Sequence, residues 1–396
     1  MKVVVLGGDG FCGWPSAVHL SRAGHDVTIV DNLVRRRMDD ELGVQSLTPI
    51  TTLTERLACW REQTGLTIGF EELDVAHEYD RLLAVLGGVR PDAIVHFAEQ
   101  RSAPYSMKDS AHKRYTIDNN VNGTHNVLAA LVEAHLDAHL VHLGTTGVYG
   151  YETTPVDLPE GYLEVSYPDR SGGTVTREIL YPSRPGSIYH TTKSLDQLLF
   201  QFYAEYDDVR ITDLHQGIVW GTQTDDTRLD DRLINRFDYD GDFGTVLNRF
   251  LMQAAIGYPL TVHGTGGQTR AFINIQDTVR CVRMAVESGD QVRGRPRIMN
   301  QLAETLRVLD LAHLIEQKLG ATIQYVSNPR TEAAENDLLM RNDHLRALGF
   351  DPILVEEGLM TESVEIATRY ADRCDRSKIL AQSYWNDKRR DAARDV

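Results

Sequence analysis

The sequence predicts an α/β protein, with a Rossmann-type, doubly wound parallel sheet and a smaller C-terminal α/β lobe. Short β-branched runs alternate with helical stretches through the first half of the chain, which is typical of a parallel sheet with helical crossovers. A glycine-rich loop directly follows the first of these runs. The chain has 396 residues, more than one ordinary domain, and this length predicts two lobes.

The β-branched runs predict six parallel strands, over residues 2–6, 26–30, 68–72, 93–96, 140–143 and 211–214. Between these strands, and again in the C-terminal half, the pattern predicts helices over 13–22, 120–134, 246–256 and 307–319. A long insertion, 33–65, follows the second strand.

Residues 151–186 interrupt the alternation of strands and helices. Two alternating runs, 162–167 and 174–180, flank the turn-like residues 169–173. This pattern predicts a β-hairpin that stands beside the functional site and outside the core.

The change of pattern after about residue 220 predicts the boundary between two domains. The first covers 1–219, including the hairpin insertion, and the second covers 220–396, with some segments returning to the first. The tail 385–396 is charged and is expected to be exposed or frayed.

The formal net charge is −16, from 57 acidic and 41 basic side chains. This balance excludes a protein whose main partner is a nucleic acid or an anionic membrane, because no overall positive field attracts such partners. No apolar run is long enough to predict a membrane span, and the N-terminus leads into a strand, not a signal peptide. The four scattered cysteines predict neither a metal centre nor disulfides, and we expect a cytoplasmic protein.

The loop after the first strand reads GGDGFCG, from Gly7 to Gly13. Glycines at 7, 10 and 13 permit a tight turn, close approach of the backbone to a pyrophosphate, and close packing of the helix on the strand. Free N–H groups at the start of that helix hold phosphate charge. The loop therefore predicts a dinucleotide site.

Asp31 ends the second strand, where a carboxylate binds the adenosine ribose hydroxyls of a dinucleotide. A carboxylate at this position repels the 2′-phosphate of NADP, so we predict NAD as the cofactor. Arg35, Arg36 and Arg37 follow closely and weaken this preference slightly, unless the run is a solvated loop.

Tyr189 and Lys193 are spaced to lie one helical turn apart on one face. A free phenol has a pKa of about 10, and a nearby ammonium and the positive nicotinamide ring lower that pKa. Tyr189 can then take a proton from a substrate hydroxyl. Thr145, at the end of the fifth strand, can hold the same oxygen.

These motifs together resemble the extended short-chain dehydrogenase/reductase family, which includes the NAD-dependent epimerases and dehydratases. Asp74-Val75 is placed like the family's adenine contact, residues 96–98 like its loop after the fourth strand, and residues 120–128 match its helix motif. The resemblance implies that NAD is bound by Gly7, Gly10, Phe11, Cys12, Gly13, Asp31, Asn32, Arg35, Asp74, Val75, Phe97, Asn119, Tyr189, Lys193 and Val219.

The residues after Thr145 separate two branches of this family. Nucleotide-sugar 4,6-dehydratases carry Asp-Glu directly after the threonine, as the acid and base of elimination. Here Thr146 and Gly147 occupy those positions, which disfavours an ordinary 4,6-dehydratase. The 4-epimerases need no such pair, so that branch stays open.

Several strings resemble one branch, the UDP-sulfoquinovose synthases of sulfolipid biosynthesis, much more closely. The most specific is Gln-Arg-Ser-Ala-Pro-Tyr-Ser-Met, which begins at Gln100, and others begin at Gly7, Asp31, Gly266 and Asn328. Together these strings run over nearly the whole chain.

That resemblance implies oxidation of UDP-glucose at C4, loss of the C6 hydroxyl through a 4-keto-5-ene, addition of sulfite at C6, and return of the hydride. It implies Thr145, Tyr189 and Lys193 as catalytic residues and His190 as a candidate acid for the departing hydroxyl. The implied partners are UDP-glucose or a related UDP-sugar, sulfite or a sulfur-donating protein, and a second copy in a homodimer that pairs the helices near Asn120 and Tyr189. The sugar nucleotide or the incoming anion would be bound by Arg101, Thr145, Gln216, Asn248, Gln268, Arg270 and Arg330.

The chain departs from that branch at three positions. Val148 replaces a glutamate, His215 an asparagine and Asn336 a histidine, and each change is expected to alter the acid–base chemistry or the pocket around sugar C5 and C6. Two alternatives therefore stay open. One is a UDP-sugar 4-epimerase or dehydratase that acts without sulfite, and the other is a non-catalytic protein that senses NAD or a UDP-sugar on the same fold.

Overall fold

The computed structural model describes residues 1–153, 156–181, 184–289, 293–358, 363–386 and 388. Its strands are β1 (Lys2–Leu6), β2 (Asp26–Asp31), β3 (Ile68–Glu72), β4 (Ala93–His96), β5 (His139–Thr145), β6 (Tyr162–Pro168), β7 (Thr174–Leu180), β8 (Ile211–Gln216), β9 (Ile218–Trp220), β10 (Leu260–His263), β11 (Gly267–Asn274), β12 (Arg297–Gln301), β13 (Glu304–Arg307), β14 (Ile323–Val326) and β15 (Glu335–Asn336).

The α-helices are α1 (Gly13–Arg22), α2 (Val34–Leu42), α3 (Leu53–Thr64), α4 (Tyr79–Val89), α5 (Ala103–Ser106), α6 (Ser110–Glu133), α7 (Ile188–Tyr206), α8 (Val246–Ala255), α9 (Ile275–Glu287), α10 (Val308–Leu319), α11 (Asp343–Ala347), α12 (Val355–Gly358) and α13 (Ser363–Arg369). Short 3-10 turns cover Thr146–Tyr149, Asp231–Leu233, Ala371–Arg373 and Arg376–Lys378. Within the described part of the chain, no helix combines the length and apolar composition that crossing a membrane requires.

Seven parallel strands form the central sheet, in the order β3-β2-β1-β4-β5-β8-β12. The chain winds outward from β1 in one direction and then from β4 in the other, so the predicted doubly wound sheet is confirmed. All six predicted strands are present, and β2, β5 and β8 extend one or two residues beyond the predicted ends. The carboxyl ends of parallel strands share one edge, which is where ligands bind in open α/β sheets.

The side chains of β1 alternate between two apolar cores. Val3 and Val5 pack with α1 and α9 on one face of the sheet, whereas Val4 and Leu6 pack with α4, α6 and α7 on the other. Parallel strands are buried on both faces in this way, which explains their continuous apolar sequence.

A third core lies in the C-terminal half of the chain. There β9, β11, β13 and β15 form a small mixed sheet, and β10 pairs with β14. Trp220, Phe237, Phe250 and Phe272 are large, fully buried side chains of this core. The predicted smaller α/β lobe is therefore present, and β12 returns from it to the central sheet. The division at residue 219 stays a prediction.

Two helical segments differ from the prediction. Helix α6 begins at Ser110, well before the predicted start at residue 120, because the Asp109 carboxylate caps it by accepting from the backbone N–H of His112 at 2.9 Å. Its first turns are polar and carry no apolar period. The insertion 33–65 contains α2 and α3, so it forms the crossover between β2 and β3.

The predicted hairpin is present as the antiparallel pair β6 and β7. It lies against the edge strand β12. A Cβ atom on Gly161 would be 2.1 Å from Cδ1 of Ile298, and the Tyr162 hydroxyl donates to the Pro296 carbonyl at 3.0 Å. The close approach at Gly161, where φ is +77°, fixes the start of the hairpin on that edge.

Candidate active site

A cleft opens at the carboxyl edge of the central sheet, against the smaller lobe. Every residue that the sequence analysis assigned to cofactor, substrate or catalysis lines it, except Asn248. The Asn248 amide instead holds the backbone of Gly221, accepting from its N–H at 3.1 Å and donating to its carbonyl at 3.3 Å. The substrate role of Asn248 stays a prediction, and its amide is already bonded to the turn after β9. Arg249, the next residue, lines the cleft.

The glycine loop at one end of the cleft packs backbone against backbone. Gly7 has a φ of +79°, and a Cβ atom there would lie 2.6 Å from the carbonyl carbon of Phe97. A Cβ atom on Gly13, the first residue of α1, would lie 2.0 Å from the carbonyl oxygen of Gly7. The loop thus leaves its N–H groups and the helix N-terminus to the cleft, an arrangement that fits a pyrophosphate.

Asp31 lies beyond this loop, at the end of β2. Its carboxylate accepts from the backbone N–H of Asp9 at 2.8 Å and of Leu33 at 2.7 Å. Burial and the neighbouring Asp9 charge raise the pKa of Asp31 to about 6. Beside it the Asn32 amide donates to Asp74 at 3.0 Å. These polar groups fit the adenosine end of a dinucleotide.

Two of the three arginines that follow β2 are already paired with carboxylates, whereas Nη1 of Arg37 donates to the Asn32 carbonyl at 2.8 Å. Nη1 of Arg35 lies 2.5 Å from Oδ1 of Asp39, and its Nη2 lies 3.1 Å from Oδ1 of Asp238. Arg36 makes two hydrogen bonds to Asp9, at 2.6 and 2.9 Å. Because these carboxylates neutralise two guanidinium groups that a 2′-phosphate would otherwise use, the pairing favours NAD over NADP.

Tyr189 and Lys193 lie one turn apart on α7, as their spacing predicts. The Tyr189 hydroxyl lies beside the Thr145 side chain, and Nζ of Lys193 lies 6.0 Å from the centre of the Tyr189 ring. Burial outweighs the charge of Lys193 and raises the pKa of Tyr189 to about 12. Lys193 thus acts in the expected direction, but the phenolate needs further positive charge in the cleft to form.

A buried charge network, absent from the sequence analysis, lies beneath Lys193. The Nζ atom of Lys193 lies 2.6 Å from Oε2 of Glu99, 2.6 Å from the Leu143 carbonyl oxygen and 3.1 Å from Nε2 of His142. His142 in turn lies 2.8 Å from Asp213. Burial raises the pKa of Glu99, but the charges of Lys193 and His142 outweigh burial and hold this pKa well below its usual value. The network keeps the ammonium charged and fixed beneath the phenol.

The sequence predicts no metal site, but Glu99, His142 and Asp196 offer ligand atoms within 4.8 Å of one another. The ammonium of Lys193 already contacts two members of this group. Burial and the Glu99 charge raise the pKa of Asp196 well above its usual value. With the Lys193 ammonium against two of its three members, the cluster already holds a cation.

Arginines line the cleft on the side of the smaller lobe. Arg270 lies 2.5 Å from Glu332, and Arg101 lies 2.6 Å from Asp238. Planar guanidinium groups bind diphosphate or sulfonate oxygens in pairs, so this wall suits an anionic sugar nucleotide. The other polar side chains of the wall include Gln216, Arg249, Gln268 and Arg330.

The three departures from the related branch lie outside the cleft. Val148 is buried among apolar side chains, and His215 contacts the Tyr149 hydroxyl at 2.8 Å. The Asn336 amide accepts from the backbone N–H of Thr269 at 2.7 Å, which holds β15 to β11. None of the three lines the cleft, so their effect on the acid–base chemistry or the pocket stays a prediction. Val148 packs in an apolar cluster and Asn336 joins two strands, whereas Nε2 of His215 lies 3.0 Å from Asp213 and so contacts the buried charge network.

His190 lies in the first turn of α7 and is bonded at both ring nitrogens. Nδ1 lies 3.0 Å from the Ser187 hydroxyl, and Nε2 lies 3.2 Å from the hydroxyl of Tyr151. Burial and the charge of Arg330 lower the pKa of His190 to about 3, so the imidazole is neutral. Its role as an acid stays a prediction. Tyr151, which the sequence analysis missed, lines the cleft beside it.

The described part of the tail is anchored. The Trp385 indole donates to the Gly186 carbonyl at 2.6 Å, and its backbone N–H donates to the Pro329 carbonyl at 3.0 Å. Trp385 lines the cleft and joins the turn before α7 to the smaller lobe. Trp385 therefore departs from the expectation of an exposed tail, whereas Asn386 and Lys388 are exposed as expected. Residues 387 and 389–396 lie outside the described residues.

The chain matches known proteins over nearly its whole length. A model of the NAD dependent epimerase/dehydratase family matches residues 3–300. The chain is 43% identical over 389 residues to the chloroplastic UDP-sulfoquinovose synthase of Spinacia oleracea, covering 97% of this chain and 79% of that protein. It is 36% identical over 397 residues to the UDP-sulfoquinovose synthase of Sulfolobus acidocaldarius, covering 97% and 98%. A solved UDP-glucose-4-epimerase from Stenotrophomonas maltophila, with bound NAD and formylated UDP-arabinopyranose, has the same fold. The TM-score is 0.71 and the identity 22%, and the match covers 94% of this chain and 100% of that chain.

The strands of the hairpin contribute no residue to the cleft, although Tyr151, at the start of the same insertion, lines it. The position of the hairpin beside the site stays a prediction. Replacing residues 163–179 with a short glycine–serine turn should therefore leave cofactor affinity and turnover within about twofold of the intact protein. Calorimetric titration and a turnover assay measure both. A loss of more than about tenfold, with an unchanged melting temperature, would contradict this assignment of the hairpin.

The raised pKa of Asp31, about 6, predicts a pH dependence of NAD affinity. A protonated carboxyl cannot accept both ribose hydroxyls, so the Kd should rise by roughly tenfold per pH unit as the pH falls below about 6. Calorimetric titration between mildly acidic and neutral pH measures this. Asp31→Asn should weaken binding and remove the dependence, whereas a Kd that does not change with pH in the unaltered protein would refute the role of Asp31.

Proposed function

The chain belongs to the NAD-dependent epimerase/dehydratase family, and we propose that it converts UDP-glucose and sulfite to UDP-sulfoquinovose. The observation that carries this proposal is the meeting of Thr145, Tyr189 and Lys193 in one cleft with a wall of arginines. The two synthases to which the chain is similar support the sugar nucleotide and the sulfur nucleophile.

The residues at the sheet edge fit NAD. The backbone from Gly7 to Gly13 would cradle a pyrophosphate, Asp31 would accept ribose hydroxyls, and Tyr189 and Lys193, at the opposite end, would contact the nicotinamide ribose. When bound, this cofactor supplies a hydride acceptor at sugar C4 and the positive charge that Tyr189 needs.

Tyr189 acts first, as the base for the C4 hydroxyl. Its phenolate takes the hydroxyl proton while the side chain of Thr145 holds the same oxygen. Lys193, kept charged by Glu99, stabilises the phenolate from below. The C4 carbonyl that results makes the C5 proton acidic, which prepares the elimination.

The later steps replace the C6 hydroxyl with a sulfonate. The C5 proton and the C6 hydroxyl leave as water, and the sulfur electron pair of sulfite then forms the bond to C6 while C5 regains a proton. Return of the hydride to C4, with a proton from Tyr189 to the oxygen, completes the cycle. The positive charges of Arg101, Arg270 and Arg330 attract both anions, whether sulfite arrives free or from a sulfur-donating protein.

We infer a homodimer formed by α6 and α7. Helix α7 exposes Leu195, Leu198, Phe202 and Tyr206, with exposed fractions of 37%, 59%, 54% and 69%. Their spacing of three or four residues places them on one helix face. Ile117 of α6 is also 37% exposed. Several exposed apolar side chains on one helix face are typical of a protein interface.

A reducing compartment suits this chain, and we propose the cytoplasm. Cys12, Cys59, Cys281 and Cys374 are all free thiols in the structure. Burial raises the pKa of Cys12, beside the proposed cofactor, to about 11, so this thiol is unreactive at neutral pH. Free, unreactive thiols are what a reducing compartment permits.

Mass spectrometry of the products made from UDP-glucose, NAD and sulfite tests the reaction. We expect a product heavier than UDP-glucose by one SO2 unit, formed only with sulfite. Tyr189→Phe should lower the rate by about 10³-fold or more, because the base is lost. Tyr162→Phe, on the hairpin outside the cleft, removes a hydroxyl elsewhere and should keep the full rate.

Other products would contradict the proposal in distinguishable ways. UDP-galactose, formed with or without sulfite, would identify a 4-epimerase. An unsaturated or deoxy sugar without sulfonate would identify an enzyme that does not use sulfite. Bound NAD that no UDP-hexose reduces would identify a non-catalytic sensor.

The double variant Leu198→Asp with Phe202→Asp tests the dimer. Charges on the exposed apolar face of α7 should convert the protein to a monomer in sedimentation velocity, without lowering its melting temperature. Leu229→Asp places a charge on another exposed leucine, 42% exposed, and should leave the dimer intact. A monomeric unaltered protein, or a double variant that stays dimeric, would contradict the interface.

A further inference from the structure

We propose that Tyr151 is the group that moves the protons at sugar C5 and C6, with His190 as its positioning residue. This inference rests on the proposed function, and it supplies the elimination chemistry that Thr145, Tyr189 and Lys193 do not perform. Tyr151 follows the 3-10 turn Thr146–Tyr149 at the end of β5, and both Tyr151 and His190 line the cleft.

The two side chains form an ordered hydrogen-bond chain. The Tyr151 hydroxyl lies 3.2 Å from Nε2 of His190, whose Nδ1 lies 3.0 Å from the Ser187 hydroxyl. His190 is 4% exposed, and its ring centre is 5.1 Å from that of Tyr189. With the imidazole proton on Nδ1, donated to Ser187, Nε2 accepts from Tyr151 and fixes the direction of its hydroxyl.

Gly147 makes the room for this pair. A Cβ atom on Gly147 would lie 2.4 Å from Nε2 of His190 and 2.9 Å from the Tyr151 hydroxyl. Any larger residue at 147 would therefore displace the pair from the end of β5. The chain carries the phenol and the imidazole here in place of an acidic side chain at 146 or 147.

The carboxylates that line the cleft are engaged elsewhere. Glu99 lies under Lys193, and Glu332 is paired with Arg270. Asp242 is paired with Lys108 at 3.0 Å. Asp31 and Asp74 lie at the far end, beside the glycine loop. Among the described residues that line the cleft, none of these carboxylates is left to act beside Tyr189.

Arg270 completes the arrangement, since its guanidinium lies 4.2 Å from the centre of the Tyr151 ring. Positive charge at this distance stabilises negative charge that develops on the phenol oxygen. Tyr151 gives its hydroxyl proton to the C6 oxygen as the C6–O bond breaks and water leaves. The phenolate takes the C5 proton, and the C5–H electron pair becomes the C5=C6 double bond. Tyr151 thus ends the step in its starting state, with no redox change.

Tyr151→Phe tests this role, with two steps measured on the holoenzyme and UDP-glucose. Absorbance of the reduced cofactor reports oxidation at C4, and deuterium uptake from heavy water, read by mass spectrometry, reports proton transfer at C5. We expect C4 oxidation within about threefold of the unaltered enzyme, and C5 exchange and sulfonation lower by about 10²- to 10⁴-fold. Tyr162→Phe is the matched control and should change neither step.

His190→Gln is the second variant, for the case in which Tyr151→Phe is unstable. Loss of the Nε2 acceptor should shift the pH profile of C5 exchange and lower its rate about tenfold, while C4 oxidation is kept. Unchanged C5 exchange in Tyr151→Phe overturns the proposal, and so does an equal loss of both steps, which indicates a structural role. If the unaltered enzyme does not oxidise UDP-glucose, the proposed function fails and this role fails with it.

Discussion

The site depends on one buried ammonium. Lys193 on α7 is bonded to Glu99, which follows β4, and to the carbonyl of Leu143 in β5, so a single charge joins three elements. Burying an unpaired ammonium costs on the order of several kcal/mol, and removing a partner would leave that cost uncompensated. The pair therefore fixes how α7 sits on the sheet, which in turn places Tyr189 against Thr145.

The same principle governs the anion side of the cleft, where the charges are paired before any ligand binds. Arg101 with Asp238 and Arg270 with Glu332 are held in position by carboxylates, so their donors are oriented in advance. Preorganised charged groups lose little conformational entropy when a ligand binds, and they are already in position when negative charge develops. A protein with a net charge of −16 can thus bind an anionic sugar nucleotide through local arrangement alone.

Local sequence predicts the sheet and the cofactor loop because both depend on short-range rules: β-branched runs, glycine spacing and an acid at a strand end. The resemblance to the known family adds the substrate-binding residues, and all of these except Asn248 line the cleft. What escapes prediction is set by distant partners. Three features depend on contacts between segments far apart in the chain. They are the charge network around Glu99, the hydrogen bonds that anchor Trp385, and the contact of Tyr151 with His190. His142 within an apolar strand was one available signal, since a buried histidine needs a charged or polar partner.

In the proposed reaction, hydride leaves C4 of UDP-glucose and returns to the same carbon after the sulfonation of C6. Mass spectrometry with UDP-glucose deuterated at C4, with NAD and sulfite, tests it most directly. We expect a sulfonated product that keeps the deuterium at C4. A sulfonated product with hydrogen at C4, or a deuterated sugar that never gains sulfur, would contradict it.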